Sequence, residues 1–242
     1  MSDNGAIVPA GPALSLRVYF INGGRLDSAQ KIVEKLKEFE LEYLKADNYY
    51  EGFFKPTING NLVEVEYYTG QLINIYTKNN GDLNPEPIYS QGKCEYIIHP
   101  KEKFLECRHT TWAAKKGLQL LYKALGVEFE PVVLSSDAMK DICKKAFKVT
   151  SVSIGGLDDD DDLSKFQLTG ENVLETTYWR MYSKRGTIKA VKGLIDLNSG
   201  GRVNVRITNK GSMLVYRDHT GSIDVNDIAA LNKMVLDLAK GS

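Results

Sequence analysis

The 242 residues are enough for one large domain or two of roughly 100 to 120 residues each. With 43% hydrophobic and 26% charged residues the composition is that of an ordinary soluble globular protein. No apolar run approaches the ~20 residues that cross a bilayer, which excludes a helical membrane span, and a formal net charge of zero disfavours a uniformly basic nucleic-acid binder.

The opening MSDNGAIVPAGPALSL lacks a basic region ahead of a long apolar stretch, so no secretory signal is expected. LRVYFI (16–21) reads as a strand ended by Gly23 and Gly24. DSAQKIVEKLKEFELEYLK (27–45) reads as an amphipathic helix, with Ile32, Val33, Leu36, Tyr43 and Leu44 at helical spacing and Asp27 as its N-cap. FINGGRLDS (20–28) lacks the GxGxxG spacing of a phosphate cradle and reads as a tight turn. Asn59-Gly60 signals a type I′ hairpin, and Val63, Val65 and Tyr67 alternate with Glu64, Glu66 and Tyr68, so one strand face is buried. Residues 79–92, rich in Asn, Gly and Pro, read as a loop, and CEYIIHPKEKFLECR as a hairpin. TTWAAKKGLQLLYKALG is a second helix, capped by Thr110 or Thr111 and stopped by Gly126.

The second half repeats this order. VEFEPVVL is a strand, SSDAMKDICKKAF a helix capped by Ser135 or Ser136, and KVTSVSI a strand leading into the acidic stretch 155–166. NVLETTYWRMY, TIKAVKGLIDL, RVNVRIT and SMLVYR read as further strands, the last two joined at Asn209-Lys210-Gly211, and VNDIAALNKMVLDLA as a final helix capped by Asp224. The expected fold class is therefore α+β, with two pseudo-repeated halves, 1–126 and 127–242, each a strand, a helix, a meander and a helix. A meander flanked by helices forms an antiparallel sheet covered on one face and free on the other.

The hairpins that close each half, VNVRITNKGSMLVYRDHTG and EYIIHPKEKFLECRHTT, resemble those of the TATA-binding-protein family. As topology the likeness covers nearly the whole chain; as sequence it covers these two stretches. The resemblance implies a curved antiparallel sheet with helices on one face, whose concave surface lies in the DNA minor groove. Divergent relatives encoded by large DNA viruses share the outline, and a viral or otherwise atypical member is the preferred version. Val203, Val205 and Ile207 turn to the helices, so Arg202, Asn204, Arg206 and Thr208 turn outward, joined by Leu214 and Tyr216 across the turn. By the resemblance Asn204, Arg206, Thr208, Leu214 and Tyr216 contact the groove, and Arg180, Lys184, Arg185, Arg202 and Lys210 hold phosphates. The family's wedging phenylalanines are replaced by Thr208 at one position, and Phe104, with Glu106 beside it, is the nearest candidate in the first half.

Charge clustering points the same way on its own. Arg180 to Arg217 holds nine basic residues and one acid, Asp196, interleaved with Tyr178, Trp179, Tyr182 and Tyr216; such a surface neutralises phosphates and stacks on bases. The bland alternative is a solvated sheet face with its aromatics in the core. The five consecutive aspartates Asp158–Asp162 lack the converging spacing of a calcium or magnesium loop. They read as a solvated loop or as an acidic lid over a basic surface. Histidines 99, 109 and 219 fall into no catalytic motif, and Glu64 and Glu66 read as exposed strand carboxylates rather than an acid/base pair. Cys94, Cys107 and Cys143 show no metal spacing and fit a reducing compartment as small buried hydrophobes.

The function expected is that of a non-enzymatic, intracellular DNA-binding protein of the TATA-binding-protein type. It acts in transcription initiation in the nucleus or cytoplasm, with double-stranded DNA and transcription-machinery proteins as partners and no cofactor, metal or membrane. A scaffold of the same fold, docking protein through residues 27–45 and using its acidic segments, is the alternative. A divalent-ion enzyme is the third and least supported.

Overall fold

The computed structural model describes residues 5–23, 26–45, 48–79, 82–109, 112–157, 165–197 and 200–241. In chain order these form β1 (Ala6–Ile7), β2 (Ala13–Asn22), α1 (Ala29–Lys37), β3 (Glu42–Leu44), β4 (Tyr49–Asn59), β5 (Leu62–Asn79), β6 (Asp82–His99), β7 (Phe104–Arg108) and α2 (Trp112–Leu125). There follow β8 (Glu128–Pro131), α3 (Ser136–Lys145), β9 (Ala146–Gly155), β10 (Lys165–Thr169), a 3-10 turn (Val173–Glu175) and α4 (Thr177–Tyr182). The chain ends in β11 (Thr187–Asp196), β12 (Arg202–Thr208), β13 (Ser212–Tyr216), β14 (Ile223–Asp224) and α5 (Val225–Lys240). The class is α+β, with extensive antiparallel sheet. Two compact units result, an N-terminal one, Tyr19–Glu130, and a C-terminal one, Met1–Val18 with Pro131–Ser242. Among the described residues no helix is long and apolar enough to cross a membrane.

In the N-terminal unit the strands run in the order β2, β7, β6, β5, β4, β3, with Tyr19–Asn22 as its share of β2. Val63, Val65 and Tyr67 stand opposite Ile98, Tyr96 and Cys94, and all six are buried. They pack against Ile32, Val33 and Leu36 of α1 and Ala113, Ala114 and Leu121 of α2. Each such aliphatic side chain contributes about 1.5–3 kcal/mol by leaving water. The three cysteines are buried, and burial pushes the Cys143 thiol up to about 12.

Three expected elements of this unit come out differently. The helix expected over 27–45 stops at Lys37, and its N-cap is Ser28 rather than Asp27. Phe39 and Leu41 then bond to both backbone groups of Phe53, at 2.9 Å each, and Glu42–Leu44 pair with β4. Sheet bonds to β4 thus displace the helical continuation that the apolar spacing allowed. The loop expected over 79–92 is strand at Asn79 and over 82–92: β5 and β6 pair without a break from Val63–Ile98 to Asn79–Asp82. The hairpin at residue 60 is one position later than expected, because Asn59 pairs with Leu62 and Gly60, at φ 61°, opens the two-residue loop.

In the C-terminal unit the order is β10, β9, β11, β12, β13, β2. Val203, Val205 and Ile207 are buried, as are Met213 and Val215, which pair with Leu16 and Leu14. Helix α3 packs on β9 and β11 from this apolar side. Ser135 caps α3 by accepting the Ala138 N–H at 3.1 Å, and Asp224 caps α5 by accepting that of Asn226 at 2.8 Å. Residues 172–182, expected as a strand, form the 3-10 turn and α4 instead. The Thr176 hydroxyl accepts the Trp179 N–H at 3.1 Å as an N-cap, and Tyr182 stacks on Phe166 at 4.4 Å.

Candidate nucleic-acid interface

Register places one row of side chains across the uncovered face of the C-terminal sheet: Thr169, Ser151, Lys192, Arg206, Leu214 and Ser15. Residues directly opposite on neighbouring strands share a face, so Lys192 and Arg206 are side-by-side cations. Neither is in an ion pair with a described residue. The Lys192 ammonium lies 4.5 Å over the Tyr216 ring, an arrangement that holds a cation through the ring's electron-rich face. A cavity of about 660 Å³ opens here, lined by Lys148, Lys192, Arg206, Tyr216, Ser151 and Gln167 among others, with Glu171 its one acid.

Lys148 reaches this face through a β-bulge. Gly193 pairs with Val149 but Lys192 pairs with Ser151, so Thr150 is the extra residue, and its hydroxyl donates to the Lys192 carbonyl at 3.3 Å. A bulge re-aims the side chains on either side of it. Lys148 and Ser151, three apart, consequently both line the cavity. Gly193 permits the crossing, since a Cβ there would stand 2.2 Å from the Lys148 carbonyl oxygen.

Of the residues read from sequence, Arg206, Leu214 and Tyr216 lie together on this face, with exposed Asn204 one pair further along, opposite Leu194. Arg202 shares the face but is engaged: its Nε donates to Asp196 at 2.7 Å, and its guanidinium lies 3.8 Å over the Phe147 ring. The Thr208 hydroxyl is committed to the hairpin, accepting the Ser212 N–H at 3.1 Å and donating to its carbonyl at 3.2 Å. Lys210 is exposed at the tip of the same hairpin.

Arg180, Lys184 and Arg185 are not brought to this row. They sit on α4 and just after it, and α4 is held by Tyr182 against Phe166. Phe166 pairs with buried Ile154, whereas its neighbour Gln167 pairs with Ser153 and lines the cavity. Phe166, and α4 with it, therefore lies on the opposite face of the sheet from Arg206. Lys148, Ser151, Gln167 and Thr169 also belong to this face although no sequence pattern marks them, and Lys192 is in sequence only one member of the basic stretch. Asp158–Asp162 lie outside the described residues.

Phe104, the expected wedge of the first half, is instead buried, 8% exposed, and stacked on His99 at 3.7 Å. Its neighbour Glu106 is also buried and accepts from Arg108 Nε at 2.5 Å. The same face of the N-terminal sheet carries Glu64, Glu66 and Glu95. Burial raises the Glu66 carboxyl, but hydrogen bonds from Lys93 and Tyr68 and the Lys93 charge bring it below the usual range. It is a paired structural carboxylate.

Burial depresses His99 to about 4, helped by Arg108 and opposed by Glu102, and its Nε2 is buried without a hydrogen-bond partner among the described residues. The unfolded chain takes up this proton near 6.5, before the folded one does. Stability is therefore complete above about pH 6.5 and is lost as pH falls toward 4, by on the order of 2 kcal/mol after allowing for partial exposure. His99→Phe is expected to flatten that part of the pH dependence of the urea midpoint; an unchanged profile would show that His99 does not carry it.

No family model matches this chain, and no curated protein matches it significantly in sequence.

Proposed function

We propose that the uncovered face of the C-terminal sheet binds double-stranded DNA, and that the protein is a non-enzymatic, intracellular transcription-initiation factor of the TATA-binding-protein type, working with other proteins of that machinery. The observation that carries this reading is the cation pair Lys192 and Arg206, neither in an ion pair with a described residue, in a cavity that adds Lys148 and the Tyr216 ring. Like charges directly opposed on neighbouring strands cost stability. A phosphate placed between them offsets that repulsion and gains charge-assisted hydrogen bonds, for which the arginine fork is suited. The Ser151 and Thr169 side chains lie along the same row, with Gln167 beside them, as neutral hydrogen-bonding groups. In this reading the two halves are pseudo-repeats building one curved antiparallel sheet with helices on one face. Support comes from the element order, strand, helix, antiparallel strands, helix, from β2 to α2, which recurs from β8 to α5 with α4 and its preceding turn interposed.

Fluorescence anisotropy with short AT-rich and GC-rich duplexes across a salt series tests it. Affinity is expected to fall steeply with salt, with a log–log slope of roughly −0.9 for each phosphate neutralised, and to favour the AT-rich duplex. Absence of binding at low salt would overturn the DNA role. The second reading, a protein-binding scaffold, is favoured by the partly exposed carboxylates Glu64, Glu66 and Glu95 on one face of the N-terminal sheet. It predicts association with a basic protein surface that weakens with salt, and none with DNA.

A further inference from the structure

Strands β5 and β6 outrun the sheet that holds their bases. β4 accompanies β5 only as far as the Gly52–Tyr68 pair, and β7 meets β6 only over Glu95–His99. Beyond these, Gln71–Asn79 and Asp82–Ser90 pair with each other alone, as a two-stranded arm about 30 Å long at ~3.4 Å per residue. The arm bears much of the protein's exposed apolar surface: Leu72, Ile75, Tyr76, Leu83, Ile88 and Tyr89 are all exposed, Tyr76 and Leu83 by two thirds. An isolated ribbon of this kind is marginal in water.

Its two edges are chemically unlike. In an antiparallel ladder, residues directly opposite turn their N–H and C=O groups either both toward each other or both away. Pro85 and Pro87 have no N–H and stand opposite Tyr76 and Asn74, so these pairs are of the outward kind. The base of the arm gives the same phase independently. Phe53 uses both backbone groups on Phe39 and Leu41, so Tyr67 opposite it turns to β6, and alternation carries Leu72, Asn74, Tyr76 and Lys78 outward. The outer edge of β6 therefore lacks donors at two successive outward positions, which blocks strand addition. The Gly70 carbonyl accepts from Lys116 at 3.0 Å, but beyond it, from Leu72 to Lys78, no outward backbone group of β5 is bonded among the described residues, and Leu72–Thr77 holds no charged residue and no proline.

We propose that this edge is the interface between two copies of the chain, β5 pairing antiparallel with β5 about a twofold axis to make a four-stranded ribbon. The sequence is self-complementary in that arrangement. With Asn74 on the axis, Leu72 of one copy stands opposite Tyr76 of the other, and Ile73 opposite Ile75, so apolar side chains meet on both faces and no like charges oppose. The blocked β6 edge stops growth at two copies, where an arm open on both sides would form fibres.

Light scattering on the full chain, over a concentration series, tests the pairing. The wild type is expected at the mass of two chains. Asn74→Pro and Tyr76→Pro mirror Pro87 and Pro85: each removes an outward N–H, leaves the β5–β6 ladder its bonds, and is expected to give a single-chain mass with the circular dichroism spectrum and urea midpoint of the fold retained. Ile75→Glu, which leaves the backbone alone and sets a charge against Ile73 of the other copy, is expected to do the same. A wild type that stays at one chain throughout, or a dimer that survives all three substitutions, overturns the proposal. Neither result depends on DNA binding.

Discussion

Gly117→Ala is expected to lower the stability of the N-terminal unit by about 2–4 kcal/mol, although alanine is the better helix former by ~1 kcal/mol. Helix α2 lies so close to the sheet that a Cβ at this position would stand 2.3 Å from the Tyr96 hydroxyl and 2.7 Å from the Tyr67 ring. Both tyrosines are almost completely buried. The Tyr96 hydroxyl donates to the Ala114 carbonyl at 2.7 Å, so it cannot swing aside without stranding a buried polar group. Overpacking of a fixed core costs about 1–3 kcal/mol, and losing a buried hydrogen bond about as much again. Against a total stability of about 5–15 kcal/mol this is a large fraction. A urea titration of Gly117→Ala and of Gly117→Ala with Tyr96→Phe reads the effect. The second change removes the nearest clashing atom and is expected to restore part of the loss, as a coupling between the two sites. A Gly117→Ala protein more stable than wild type would show that the helix does not approach this closely.

Arg206→Glu is expected to weaken duplex DNA binding on the order of a hundredfold, and Lys192→Glu by a similar factor. Loss of a charge-assisted phosphate contact costs about 1.5–3 kcal/mol, a tenfold change being about 1.4 kcal/mol. Reversal adds repulsion to the loss. Each variant is expected to flatten the salt dependence by roughly one unit of slope. Lys184→Glu and Arg180→Glu are expected to leave affinity within a fewfold of wild type, because α4 is docked on Phe166, across the sheet from Arg206. Equal losses from both pairs of substitutions would mean that a diffuse basic charge, rather than the Lys192–Arg206 row, holds the DNA. Arg206 and Lys192 are half-exposed and in no ion pair with a described residue, so their reversal is expected to leave the urea midpoint little changed, separating binding from folding.

The site was legible where the strand period is regular. Across β12 and β13 strict alternation put Arg206, Leu214 and Tyr216 on the face opposite Val205, Met213 and Val215, and burial follows that division. It was illegible at Lys148 and Ser151, whose odd separation assigns them to opposite faces of a regular strand. The extra residue Thr150 undoes that assignment, and a bulge is a property of two paired strands, not of one. The linear cluster of basic residues from Arg180 onward likewise scatters over both faces, since proximity along the chain is not proximity across a sheet.

Taken alone, the sequence determined what local bonding decides. Ser135 and Asp224 as helix caps, Gly126 and Gly211 as chain reversals at φ 68° and 70°, and the inward apolar set of each regular strand all follow from side chains acting within a few residues of themselves. Only the tertiary structure decided where distant backbone bonds outcompete those preferences. Sheet bonds to Phe53 cut the first helix short at Lys37. A docking partner, Phe166, let Thr176 start a helix where the alternation of residues 172–182 allowed a strand. Pairing with β5 drew the stretch 82–92, with its two prolines, into an eighteen-residue strand, because prolines whose nitrogens face outward cost a ladder nothing. That last rearrangement built the arm, the largest feature of the molecule that no local signal announced.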